Sequence, residues 1–167
     1  MAYDIDFVEE AVISSHIKKF LLYPVFWNEI ENQISTNTNW RSVKFNNANK
    51  SKVPNSRGIY AFVLKPKYRN FFSTNYLFYV GKTNRTLRSR YQEYLDEKQG
   101  KGKPRKKVHR MLNMYDGYLD FYFTGLNAKA QVDKVEVQLL NAFVPHINTS
   151  IPKARIKHEL KYIYEQN

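Results

Sequence analysis

Apolar residues in the first 34 positions recur at helical spacing, and they do so twice. Phe7, Ala11, Ile17 and Leu21 form one series, with Asp4 or Asp6 as its candidate N-cap. Pro24 interrupts that series and suits the first turn of a second helix, in which Phe26, Ile30 and Ile34 recur. Residues 35–57, rich in Asn, Ser and Lys, form a connector that Trp40, Val43 and Phe45 pin to the body. Dense β-branched and aromatic runs follow at 58–64 (GIYAFVL) and 76–81 (YLFYVG). They predict two strands joined by an exposed loop over 65–75. Helical spacing returns at 85–97, then a basic Gly-containing loop at 98–104 and a short helix at 105–115. A third strand is predicted at 118–123, ending at Thr124-Gly125. A longer helix at 128–143 stops before Pro145, and a basic helical tail covers 153–165. No internal repeat interrupts this order. The succession β-β-α-(α)-β-α predicts an α/β (α+β) chain with a small central antiparallel or mixed three-stranded sheet flanked by helices.

A length of 167 residues fits one domain. A net charge of +12 makes polyanions the leading partner class, DNA foremost. A membrane partner would call for a basic amphipathic helix or a lipidation signal, and neither stands out. The 13 tyrosines suit a polyanion interface, since a phenol stacks on bases and donates to phosphate. The absence of cysteine excludes disulfides and thiolate zinc sites. The opening MAYDIDFVEEAV carries acids where a secretory signal carries bases, and no apolar run approaches membrane-spanning length. A cytoplasmic protein is therefore expected.

Tyr60 and Tyr79 stand on the two adjacent strand runs, each near a glycine (Gly58 and Gly81) that leaves the backbone open to a ligand. Alone, two strand tyrosines are ordinary core aromatics. On the next helix, Leu87, Tyr91, Tyr94 and Leu95 form the apolar side, and Arg90 lies at its edge one turn before Tyr94. Arg85 and Arg88 point elsewhere, to solvent or phosphate. Glu136 is the most informative single residue. It falls inside the stripe of Val132, Val135, Leu139, Leu140 and Phe143, where a carboxylate is costly unless it is paired or binds a cation. The run Lys98, Lys101, Lys103, Arg105, Lys106, Lys107 and Arg110 contains no acid and forms a candidate DNA-tracking surface. His109, His146 and His158 lack partners at ligand spacing and fit phosphate contacts better than metal ligation.

Taken together, these pieces resemble the GIY-YIG nuclease family over residues 57–150, flanked by an N-terminal helical extension (1–56) and a basic tail (151–167). The first motif is Arg57-Gly58-Ile59-Tyr60 and the second Tyr79-Val80-Gly81-Lys82-Thr83. The L-x-x-R helix matches Leu87 and Arg90, the metal glutamate matches Glu136, and P-x-x-N matches Pro145 and Asn148. The step from Tyr79 to Leu87 is one residue longer than in repair-type members, so Arg88 competes weakly with Arg90. The resemblance implies a metal-dependent endonuclease, with Glu136 holding Mg²⁺ or Mn²⁺ and Arg90 neutralising phosphoryl charge. Either Tyr60 or Tyr79 would orient or deprotonate water, with Lys82 supplying a cationic field. Tyr94 takes the place that a histidine holds in some restriction-type members. Asn148 would hold the site's geometry or contact phosphate. A restriction or defence enzyme is expected, cutting as a homodimer if its target is palindromic. The alternatives are a homing or repair nuclease and a non-catalytic nucleic-acid-binding module on the same fold.

Overall fold

In the computed structural model, residues 7–33, 37–67 and 72–164 are described. The candidate caps Asp4 and Asp6, Ile34 and part of the 65–75 loop lie outside them. Helix α1 covers Phe7–His16 and α2 covers Pro24–Gln33. As the sequence suggests, Pro24 opens the second helix, where its missing N–H is no loss. The first helix is shorter than expected, so Ile17 and Leu21 follow it in irregular chain.

The connector holds the main departure. Strand β1, Arg41–Lys44, lies inside it, followed by a 3₁₀ turn at Asn47–Lys52. Strands β2 (Gly58–Leu64), β3 (Tyr76–Thr83) and β4 (Leu119–Gly125) complete a four-stranded sheet in the order β1-β4-β2-β3. Every pairing is antiparallel. The expected three strands are thus four, because a short run of mixed polarity extends the sheet along the edge of β4. Helices α3 (Leu87–Lys98) and α4 (Lys106–Met114) follow β3, and α5 (Lys129–Phe143) follows β4. In the tail, α6 is limited to Leu160–Tyr164, far shorter than the predicted helix. Among the described residues, no helix is long and apolar enough to cross a membrane.

Strand alternation divides the interior in two. On one face Tyr60, Phe62, Phe121 and Phe123 pack with Tyr91, Tyr94 and Leu95 of α3 and Met111 and Leu112 of α4. On the other, Ile59, Ala61 and Val80 pack with Val132, Val135 and Leu140 of α5. Each large side chain buried this way contributes about 1.5–3 kcal/mol. A bulge where β2 passes from Phe62 to Val63 leaves Phe78 as the extra residue of β3, and both Phe78 and Tyr79 join the first face.

The connector also docks α3. Thr86 caps the helix by accepting from Ser89 N at 3.0 Å, and the Leu87 and Arg88 amides donate to Ser56 O (2.8 Å) and Pro54 O (3.1 Å). Arg88 donates to Val53 O at 2.7 Å and Ser51 O at 3.0 Å. That guanidinium is a clamp on the connector, which removes it as a rival to Arg90.

Gly58 and Gly81 serve the protein's own packing rather than ligand approach. A Cβ at Gly58 would lie 2.1 Å from the Thr124 carbonyl oxygen, and one at Gly81 would lie 2.5 Å from the Tyr60 hydroxyl. Gly58→Ala is expected to destabilise the fold by at least about 2 kcal/mol, since backbone must move to admit the methyl. Urea denaturation checks it, and an unchanged midpoint would refute the packing role.

Candidate functional site

Tyr60 lies on the central strand β2 with 1% exposure, its phenol laid across Gly81. Its hydroxyl accepts from Arg90 Nε at 3.0 Å and bonds the Tyr94 hydroxyl at 3.0 Å. Arg90 and Tyr94 are four residues apart on α3, one helical turn, which lets both reach one atom. The Arg90 guanidinium also lies 4.9 Å from the Tyr94 ring centroid and pairs with Glu93. Glu93 in turn takes Arg85, which is therefore ion-paired rather than directed at solvent alone.

Tyr79 stands beside this pair, 6.4 Å from the Tyr60 ring and 6.2 Å from the Tyr94 ring between centroids. Its partner is a residue that sequence reasoning placed on a DNA-tracking surface. Arg105 donates to the Tyr79 hydroxyl at 3.2 Å and covers the Tyr94 ring at 5.2 Å. It is held by the buried carboxylate of Glu97, to which its Nε and Nη2 donate at 3.1 and 2.7 Å. The missed signal was Glu97 itself, an acid on the buried side of α3. The result is two guanidiniums and three phenols on one face, and the two guanidiniums, with Lys101 and Lys103, line an open depression of about 700 Å³.

Burial pushes the Tyr60 hydroxyl up to about 12, with Tyr79 adding to it and Arg90 opposing. Burial holds Tyr94 well above the ordinary tyrosine range. Both phenols stay protonated at neutral pH. Tyr79 is the partly exposed member of the three.

Glu136 is placed elsewhere. Its side chain, 13% exposed, pairs with Lys82 at 2.8 Å, and Asp133 takes the same ammonium at 2.9 Å. Hydrogen bonds to Glu136 and then Asp133 raise Lys82 above its usual range. Lys82 follows Gly81 by one residue, so it faces α5 and not the tyrosines. It does not face the tyrosines as expected, and the cations beside them are Arg90 and Arg105. The candidate side chains thus form two groups on opposite faces of the sheet.

Asn148 belongs to neither group. Its amide accepts from Val80 N at 2.9 Å and donates to Val80 O at 2.7 Å, while Ile147 N donates to Phe78 O at 2.9 Å. These bonds close the outer edge of β3, which would otherwise present unpaired backbone. Val144, at φ 42, turns the chain out of α5 toward this position.

The basic run is split as well. His109 bonds Glu97 O at 2.7 Å through Nδ1, so it ties α4 to α3. Lys101 sits 3.7 Å from Asp96, while Lys107 and Arg110 line a different cavity. Among the described residues, no group of three or more His, Asp or Glu is arranged to hold a metal. A site of one or two carboxylates completed by water and phosphate oxygens does not require one. Asp133 and Glu136 fit that description, since two hard carboxylates share a single ammonium. Compared with known proteins, the chain matches no family model, no curated protein and no solved structure.

Asn148→Ala is expected to lower stability by about 2–3 kcal/mol, because it strands the Val80 N–H and C=O together. Asn148→Asp should lose at least as much at neutral pH, because a carboxylate oxygen would then face the Val80 carbonyl where the amide donated. A loss below about 0.5 kcal/mol for Asn148→Ala in chemical denaturation would contradict the edge-clamp role.

Proposed function

We propose that the chain is a metal-dependent DNA endonuclease of the GIY-YIG type, with restriction or defence as its setting. The observation that carries this reading is the Tyr60 hydroxyl bonded to both Arg90 and Tyr94, with Tyr79 beside it under Arg105. Phenols locked by guanidiniums on a sheet face suit a phosphodiester, whose oxygens gather negative charge as the bond to water forms.

The residues then divide the work. Tyr79 acts on water, since it is the partly exposed phenol of the three and Arg105 fixes its hydroxyl in place. Tyr60, buried and held protonated, positions Arg90 and does not act as the base. Arg90 offers its remaining donors to the phosphoryl oxygens, and Lys101 and Lys103 hold the neighbouring backbone phosphates. Glu136, with Asp133 beside it, would hold Mg²⁺ or Mn²⁺, which supplies Lewis-acid stabilisation of the departing oxygen. DNA is the partner, and symmetric cleavage of a palindrome would engage a homodimer.

A second reading is favoured by one observation. Glu136 is closed by Lys82 on the face away from the tyrosines, as expected of a non-catalytic DNA-binding module. Plasmid nicking with Mg²⁺ or Mn²⁺ separates the two. Arg90→Ala and Glu136→Ala should each lower cleavage by at least about 100-fold, and Tyr79→Phe by about 100- to 10,000-fold. Salt-dependent binding with no metal-dependent nicking by the parent would establish the binding module instead. Mapping the cut ends distinguishes restriction from homing or repair cleavage.

A further inference from the structure

One cavity takes no part in the proposed nuclease chemistry. It measures about 360 Å³ and lies among the end of α1, helix α4, the turn at His146 and Ile147, and Ile163 of α6. Four cations line it, Lys18, Lys19, Lys107 and Arg110, and among the described residues none of its lining is acidic. The rest of its wall is mixed, with Ser14 and Ser15 from α1 and the apolar Met111, Met114 and Tyr115 on the α4 side. Nδ1 of His146 is buried there with no hydrogen-bond partner in the structure.

We propose that this cavity binds one phosphorylated nucleotide, free or as the terminal nucleotide of a strand. Each part of the wall restricts the occupant. The volume lies at the low end of small-molecule sites, roughly 300–1,000 Å³, so it takes one nucleotide and no polymer or helix. Four cations exceed what one carboxylate neutralises, whereas a phosphate monoester carries about −1.5 to −2 at neutral pH. Methionine and tyrosine make a soft, adaptable wall for a flat ring. The His146 imidazole and the hydroxyls of Ser14 and Ser15 make part of the wall polar, which a hydrocarbon tail would leave unmatched. The cationic groups around the cavity also crowd one another. Burial and then Arg110 lower the Lys18 pKa, and burial with Lys18 and Lys107 lowers that of His146. An anion relieves that crowding.

The inference stands apart from the nuclease reading, and calorimetry on the full chain tests it. The probes are a nucleoside 5′-monophosphate, its nucleoside, inorganic phosphate, and an oligonucleotide with and without a 5′-phosphate. The monophosphate should bind at least tenfold more tightly than the nucleoside or phosphate alone, and weaken as salt rises. Arg110→Gln and His146→Gln should each weaken it at least tenfold. If either variant fails to fold, Lys19→Glu, at the exposed rim, reads the same charge. Tighter binding of the 5′-phosphorylated oligonucleotide than of the monophosphate identifies a strand end, and the reverse order a free nucleotide. No binding of any phosphorylated probe, phosphate binding as well as the monophosphate, or unchanged affinity in the variants would overturn the proposal.

Discussion

A phenol hydroxyl inside a hydrocarbon core must bring its partners with it, and Tyr60 arranges much of the molecule on that account. Its ring requires that residue 81 have no side chain, and its oxygen requires Arg90 and Tyr94 on one turn of α3. A guanidinium so placed needs a counter-charge, which Glu93 supplies. Tyr94 is covered on the far side by Arg105, which Glu97 fixes to α3 from the loop. Each group satisfies the next, so the polar network is stable only as a whole. The position of α3 over the sheet follows from it, together with the connector carbonyls that receive the first amides of the helix.

The sheet then acts as a partition. Consecutive residues of β3 serve different faces, Gly81 beneath Tyr60 and Lys82 toward Glu136 and Asp133. Because β3 is an edge strand, its position depends on what covers the open side, and Ile147 and Asn148 do so. A shift of that edge would move both groups of side chains together. The strained Val144 is tolerated for the same reason, since the turn it makes delivers the clamp.

Much of this was legible in the sequence where one periodicity dominated. The apolar runs of β2 and β3 and the stripe of α5 have one reading each, and the structure agrees with them to within two residues. The Glu136 anomaly correctly signalled a carboxylate that needs a partner, but spacing along a helix does not say which side of a sheet that helix covers. Strand β1 escaped notice because Arg41, Ser42 and Lys44 surround a single apolar Val43, and pairing with β4 supplies what propensity does not. Arg105 was placed with its basic neighbours because charge runs are read collectively. Its role is set by Glu97, eight residues earlier, through a fold that no local pattern contains. The expected tail helix failed for a related reason. A basic, Pro-free stretch permits a helix, but isolated short helices are marginal without a surface to bury against.

The same separation of local from global charge bears on how a polyanion would be received. The net charge is +12, yet the depression beside the tyrosines sets Arg90, Lys101, Lys103 and Arg105 against Glu93, Asp96 and Glu97. Attraction at a distance therefore comes from the surface as a whole and is screened over about 8 Å at physiological salt. The carboxylates nearby hold the guanidiniums in fixed orientation while no substrate is present. A phosphate entering the proposed site competes with Glu93 for Arg90, so raw affinity is lowered where orientation is gained. Exchange of that kind favours discrimination over tight binding, because only a phosphate that also meets Tyr79 and the flanking lysines recovers what displacing the carboxylate costs.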